Sequence, residues 1–276
     1  MSQNVKPFSV LISLYAKEDA DHFTESMKSI FSQTALPSEI VLVLDGPIGE
    51  NLEAAVENCR TLSPCEMKIV RIETNQGLGK ALAVGVEQCS FELIARMDTD
   101  DIARTDRFSL QLEAFDQHPE LGICGSHILE FEGTPSHTVA RRRVPQYHDE
   151  IVAYQKKRDA FNHMTVMFKR QEVLAAGNYR PALLMEDSLL WAHMLQNGSI
   201  GYNIDDYLVY ARVDAGFIDR RGGWSYFKKY RLGRKAIKET GFIGTCDYYY
   251  TLFIQLIVSC MPCVLRRFVF RNLLRG

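Results

Sequence analysis

An α/β fold with a mostly parallel sheet flanked by helices is predicted by three features of the chain. Short apolar runs of strand character alternate with stretches whose apolar residues recur at helical spacing, four strands to three helices before residue 100. Such an alternation forms a parallel sheet through right-handed crossovers. Polar residues Ser13, Asp45, Asn75 and Asp98 all fall at the carboxyl ends of these strands, where open α/β sheets bind ligands.

The elements follow in order. Phe8–Leu14 is a buried strand, and Asp19–Gln33 is a helix with Phe23, Met27, Ile30 and Phe31 on one side. Glu39–Leu44 is a second strand, closed by the turn Asp45-Gly46-Pro47. Asn51–Leu62 is a helix, Met67–Ile72 a strand and Leu78–Gln88 a helix. The apolar run Phe91–Ala95 is the fourth strand. Thr105–Gln117 is helical and Leu121–Phe131 a longer strand. Gly133–Gln146 is polar and irregular, with Arg141, Arg142 and Arg143 read as a solvated charge run. A short helix over His148–Lys157, a strand over Met164–Phe168 and a helix over Gln171–Ala176, stopped by Gly177-Asn178, come next. Met185–Gln196 is a helix with Leu190, Trp191, Met194 and Leu195 on one face, before two short strands at Ile200–Ile204 and Leu208–Arg212. No repeat or low-complexity linker interrupts residues 1–222, which read as one domain.

Residues 223–276 differ in composition. Trp224–Thr240 carries six Lys and Arg residues, and Tyr248–Leu265 is nearly continuously apolar. A spanning helix needs about 20 mostly apolar residues. This run has polar interruptions and Pro262 near its end, while Arg267, Arg271 and Arg275 share one helical side. That pattern suits helices lying at a membrane surface better than a span, with packing against the main domain as the other reading.

Composition excludes several classes. The chain has 276 residues, 46% apolar and 24% charged, with a formal net charge of -2. No global basic field points to nucleic acid. The first six residues are polar, and the run to Leu14 is too short for an export signal. Seven cysteines are then most simply reduced thiols of a cytoplasmic protein. Cys260-Met261-Pro262-Cys263 lacks the context of a redox motif. Asn75–Leu82 fails as a nucleotide loop in two ways. Ala81 stands where a phosphate loop needs Ser or Thr, and Leu82 where a dinucleotide fingerprint needs a third glycine. The loop Tyr15–Asp19 has no glycine, against a nucleotidyltransferase. Gly77 and Gly79 make a tight entry into the helix.

The chemistry gathers at Arg96-Met97-Asp98-Thr99-Asp100-Asp101, three acids in four residues at a strand end. Hard divalent cations are commonly shared between one or two carboxylates and a substrate phosphate. Taken alone, the cluster also fits a solvated acidic turn before a helix.

In combination these pieces resemble the family-2 glycosyltransferases of the GT-A fold, especially bacterial members that build surface polysaccharides. The resemblance rests on Ser9–Tyr15, Glu39–Gly46, Asn75–Leu82, Ala95–Asp101, Asn162–Val166, Glu186-Asp187 and Arg220–Gly223, in that order along nearly the whole chain. It implies a GT-A catalytic domain over 1–222, with a nucleotide-sugar half (1–105) and an acceptor half (106–222), and a membrane-proximal helical tail over 223–276. Ser13 would border the nucleotide base and Asp45 would accept hydrogen bonds from it. Asn75 and Lys80 would join them on the donor. Asp98 would contact ribose or share the metal, and Asp100 would hold Mn²⁺ or Mg²⁺. Asp187 would be the general base, ionised by the positive end of the helix it starts. Glu186, His163, Arg220 and Arg221 would line the acceptor side. His163 is equally a hydrogen-bonded structural histidine, and a solvated charge run is the other reading of Arg220-Arg221. Ala16, Ala83 and the stretch Arg158-Asp159-Ala160 depart from the family pattern.

The implied reaction is an inverting transfer from a UDP-sugar to a lipid-diphosphate-linked saccharide, in O-antigen or exopolysaccharide assembly. It would take place at the inner face of the cell membrane, with the protein peripherally bound through its tail. A non-catalytic sugar-nucleotide-binding subunit is the alternative. The intact Asp98, Asp100 and Asp187 weigh against it, since such a subunit has no chemical need of all three.

Overall fold

Aliphatic runs without polar interruption form strands that can be covered on both faces, and the first four strands are of that kind. The computed structural model describes residues 6–182, 184–214, 216, 221–263 and 265–266. Its first half is β1 (Phe8–Leu14), α1 (Ala20–Phe31), β2 (Glu39–Asp45), α2 (Glu50–Leu62), β3 (Glu66–Ile72), α3 (Leu78–Gln88) and β4 (Leu93–Met97). Then come β5 (Ile102–Ala103), α4 (Arg107–Gln117), β6 (Leu121–Phe131), β7 (Thr138–Arg142), α5 (His148–Gln155), β8 (Met167–Lys169), α6 (Arg170–Ala175), α7 (Glu186–Gln196), β9 (Ile200–Arg212), α8 (Gly223–Glu239) and α9 (Thr245–Cys260). One sheet carries them in the order β3-β2-β1-β4-β8-β6-β9-β5, with β7 on β6. The β3-β2-β1-β4 part is parallel throughout.

The two-residue period of the strands divides the core. Phe8, Val10, Ile12 and Leu14 pack on one face with Phe23, Met27 and Ile30 of α1. Leu11, Val41 and Val43 pack on the other with Ala81, Leu82 and Val86 of α3. Gly85 lets α3 approach that closely. A Cβ there would overlap Leu11 and lie 3.0 Å from Val43 Cγ2. Gly85→Ala is therefore expected to destabilise the protein by about 1–3 kcal/mol, read as a lowered denaturant midpoint with an unchanged slope.

Several elements differ from the sequence expectation. The fourth strand is displaced to Leu93–Met97, which brings Asp98 to the first position beyond it. The stretch expected to be irregular over 133–146 contains β7, an edge strand paired antiparallel with β6 from Ile128 to Phe131. Its consecutive Arg141 and Arg142 hid the strand from an apolar pattern. The strand expected over 164–168 starts as a single 3₁₀ turn, His163–Thr165, and only Met167–Lys169 pairs. The two short strands after residue 199 are one strand, β9. It follows β6 in parallel and absorbs Asp205 and Asp206 through a register shift at Ser126–His127. β5 is too short to show a period at all.

Within the described part of the tail, α8 packs on α9 and on α7. Buried Arg234 ties them down, with Nε on Thr251 Oγ1 at 3.2 Å and Nη2 on the Lys156 carbonyl at 2.6 Å. α9 is turned inside out relative to a core helix. It buries Thr251, Val258 and Ser259, while Tyr249, Tyr250, Phe253, Ile254 and Ile257 face outward. No helix among the described residues is long and apolar enough to cross a membrane.

Candidate active site

The carboxyl ends of β1, β2 and β4 lie side by side, so Ser13, Asp45 and Asp98 share one edge of the sheet. Asp45 is buried, and both carboxylate oxygens accept backbone N–H groups of the next loop. Gln76 N donates at 2.7 Å and Gly77 N at 2.9 Å. The Asn75 amide returns a bond to the Asp45 carbonyl at 3.1 Å. Gly46 and Gly77 both take φ of +89°, which a side chain would strain. At Gly46 a Cβ would also press on Asn75 N, 2.7 Å away. Asp45 thus fixes the entry loop of α3, an immediate task the sequence did not disclose. Asn75 and Lys80 stand exposed on that loop and the first turn of α3.

The acidic cluster is more crowded than its sequence suggests. Arg96, which is 1% exposed, forms an ion pair with Asp98 from below. Its Nε and Nη1 have no hydrogen-bond partner among the described residues. Asp100 has its pKa pushed up to about 6, first by burial and then by the charge of Asp98. Asp101 is buried and shifted well upward, again by burial first. Its Oδ1 accepts Arg212 N at 2.8 Å and its Oδ2 has no partner among the described residues. Arg212 also bonds the Asp100 carbonyl at 3.0 Å, so the end of β9 clamps this turn. Glu18, from the loop after β1, adds a fourth carboxyl. Burial and the charges of Asp100 and Asp98 raise it to about 7, although Thr99 offers it a hydrogen bond. An acid at a strand's carboxyl end was the available signal for Glu18. Next to this group, Ala16, Glu18, Asp19, Gly49 and Glu50 line an open cleft of about 850 Å³ between the starts of α1 and α2.

Mutually repelling oxygen donors of this kind fit a hard divalent cation. Among the described residues no three His, Cys, Asp or Glu side chains form a ready metal centre. Such carboxylates could hold a cation only together with oxygens of a bound ligand.

Asp187 reaches the same region from the far half of the chain. It lies in the first turn of α7. Gly79 is what admits it, because a Cβ there would lie 3.1 Å from Glu186 Cβ and 3.2 Å from the Arg180 carbonyl. The starts of α3 and α7 therefore touch. The pKa of Asp187 is pushed up to about 7, by burial first and then by Asp159 and Glu186, against the Ser188 backbone N–H at 2.8 Å and the Arg96 charge. This corrects the expectation that the helix end would keep it well ionised. Desolvation and two neighbouring acids outweigh the dipole. Asp159 itself accepts the Ser188 hydroxyl. It had no signal in the sequence beyond its departure from the family pattern.

Arg96 links the two groups, since its charge acts on Asp98, Asp100, Asp101 and Asp187 alike. His163 sits against it, between Tyr179 and Trp191, with Nε2 2.9 Å from the Tyr179 hydroxyl. Burial and Arg96 hold His163 well below its usual pKa, so it is neutral. Burial lowers the pKa of Arg221, on which Tyr226, Arg142, Glu130 and Asp159 also act. Arg220 lies outside the described residues.

The sequence pattern of glycosyl transferase family 2 matches residues 9–174. The amylovoran biosynthesis glycosyltransferase AmsE of Erwinia amylovora is 37% identical over 274 residues, 98% of this chain and 100% of that protein. The UDP-Gal:alpha-D-GlcNAc-diphosphoundecaprenol beta-1,3-galactosyltransferase of Escherichia coli is 31% identical over 275 residues, 100% of this chain and 99% of that one. Among solved structures, mannosyltransferase PcManGT from Pyrobaculum calidifontis, in complex with GDP-Man and Mn²⁺, superposes with a TM-score of 0.65. It is 14% identical and covers 92% of this chain and 70% of its own. The UDP complex of S. aureus TarS gives 0.60 at 20% identity, covering 83% of this chain and 65% of its own. These two likenesses concern the fold.

Proposed function

Because the chain belongs to glycosyl transferase family 2, we propose that it is an inverting, metal-dependent enzyme. It moves one sugar from a UDP-sugar to a lipid-diphosphate-linked saccharide in surface polysaccharide assembly. The observation that carries this reading is the half-buried Asp187, poised at about 7 beside the donor loop. The donor and acceptor classes are supported by the named activity of the Escherichia coli relative.

Each residue then has a task. The loop held by Asp45 and the start of α3 receive the donor, with Ser13, Asn75 and Lys80 at the rim. Asp98 and Asp100 would hold the divalent cation. When bound, it acts as a Lewis acid that stabilises charge on the departing diphosphate. Arg96 fixes Asp98 and offsets the clustered negative charge. Asp187 takes the proton from the attacking hydroxyl. A carboxylate near 7 is suited to this, since a base works best with a pKa close to the working pH. The hydroxyl's oxygen forms the new bond to the anomeric carbon as the bond to the nucleotide breaks, so the configuration inverts. Glu186 and His163 border the acceptor, His163 by shape because it is neutral.

The test is direct transfer. The purified protein, incubated with UDP-Gal and other UDP-sugars and a synthetic lipid-diphosphate GlcNAc, is expected to release UDP and form a β-linked product. Release with no acceptor-dependent product across the panel would instead support a binding subunit. The outward face of α9 supports peripheral membrane binding. Exchanging Phe253 and Ile257 for Ser is expected to reduce flotation with anionic vesicles by about tenfold or more, from the apolar burial lost.

A further inference from the structure

We propose that the start of α8, together with Arg266, forms a second anion site that receives the diphosphate of the acceptor. The proposal rests on the lipid-diphosphate acceptor inferred above. α8 begins after Gly222 and has no side-chain cap. Its first backbone N–H groups thus lack intrahelical partners and carry the positive end of the helix dipole. A cation is the wrong neighbour for that end. Yet the Arg266 guanidinium fills the space of the side chain that Gly222 lacks, so a Cβ there would overlap it. Arg266 is only 7% exposed, and its Nε and Nη1 have no hydrogen-bond partner among the described residues. Arg221 adjoins Gly222 and is itself desolvated within the field of Arg142. Glu130 and Asp159 also act on Arg221. An uncapped helix start with a buried, unpartnered guanidinium seated on it is an arrangement completed by an anion. A diphosphate fits best, because its paired oxygens match the guanidinium fork.

Position assigns the site to the acceptor. Asp159 acts on Arg221, the neighbour of Gly222, and accepts the hydroxyl of Ser188, whose N–H binds Asp187. The site therefore lies on the side of the general base. The acceptor's diphosphate is joined to the saccharide that carries the attacking hydroxyl, so both must lie on that side together. The donor's diphosphate belongs instead with Asp98 and Asp100. Arg266 also follows α9, whose apolar outward face suits the lipid of the same acceptor molecule.

Two variants test the site from different directions. Arg266→Met removes the guanidinium, and Gly222→Ala displaces it with a methyl group at an unstrained φ of -130°. Both are expected to raise the KM for the lipid-diphosphate GlcNAc about tenfold to a hundredfold, the loss of a charged hydrogen bond. The KM for the UDP-sugar is expected to move by less than about twofold. Calorimetric titration with inorganic diphosphate, without divalent cation, is expected to show binding to the wild type that both variants weaken. An unchanged acceptor KM overturns the proposal, and so does a rise in the donor KM alone. If the wild type transfers only to acceptors lacking a diphosphate, the acceptor reading fails, while the titration still decides whether the anion site exists.

Discussion

Asp187→Asn is expected to lower kcat by about two to four orders of magnitude, because an amide cannot take the acceptor's proton. The KM for the donor should change little, since Asp187 lies beyond the donor loop that Asp45 holds. In the wild type, kcat/KM should rise as pH is raised towards about 7 and then level off, because the base works only when ionised and its pKa is about 7. Full activity of the variant, or a flat profile down to pH 5, would remove Asp187 from this role. Stability should move the other way. A carboxyl raised from 3.8 to about 7 on folding stabilises the fold fully below the unfolded pKa, and this contribution disappears as pH rises through 7. With allowance for partial exposure, Asp187→Asn should then be more stable than wild type by about 1–2 kcal/mol at pH 8 and not at pH 4. Thermal unfolding at the two pH values reads the difference. A site residue whose removal stabilises the protein is held against its own preference for the sake of the chemistry.

Asp100→Ala is expected to cost about three orders of magnitude in turnover, the scale of a metal ion's charge stabilisation. A chelator should inactivate the wild type to the same extent and add little to the loss in the variant. Adding Mn²⁺ or Mg²⁺ back should restore only the wild type. Turnover indifferent to chelation would exclude the cation from the reaction and leave Arg96 as the main positive charge at the cluster. The thermal stability of Asp100→Ala without metal should not fall, because burial and Asp98 both already oppose the ionised Asp100.

How much of this was legible in the chain follows from the range of each interaction. Strands β1 to β4 and their helices were visible because each buries its own periodic face, and α3 was found to the residue. β7 and β9 were misjudged because neighbours across the sheet, not their own composition, make them strands. The acids at 98 and 100 stood out through their spacing and strand-end position. Arg96 was conspicuous but had no assignable task until Asp98 and Asp187 were seen to share its field. Asp159 and Arg266 could not be singled out, since each acquires meaning from a residue far away, Ser188 and Gly222 respectively. The expectation of an ionised Asp187 failed for the same reason. The dipole is local to α7, whereas the charge of Asp159 arrives from a distant loop.

The short strand β8 runs antiparallel between β4 and β6, and it joins the four parallel strands to the rest of the sheet by unbroken ladder hydrogen bonds. The candidate acids are thus carried on one hydrogen-bonded sheet, whose register shifts lie along β6. Changes around substrates are then left to the loops at its rim. A lineage can then exchange one sugar for another by editing those loops, while the spacing that makes transfer work is inherited intact.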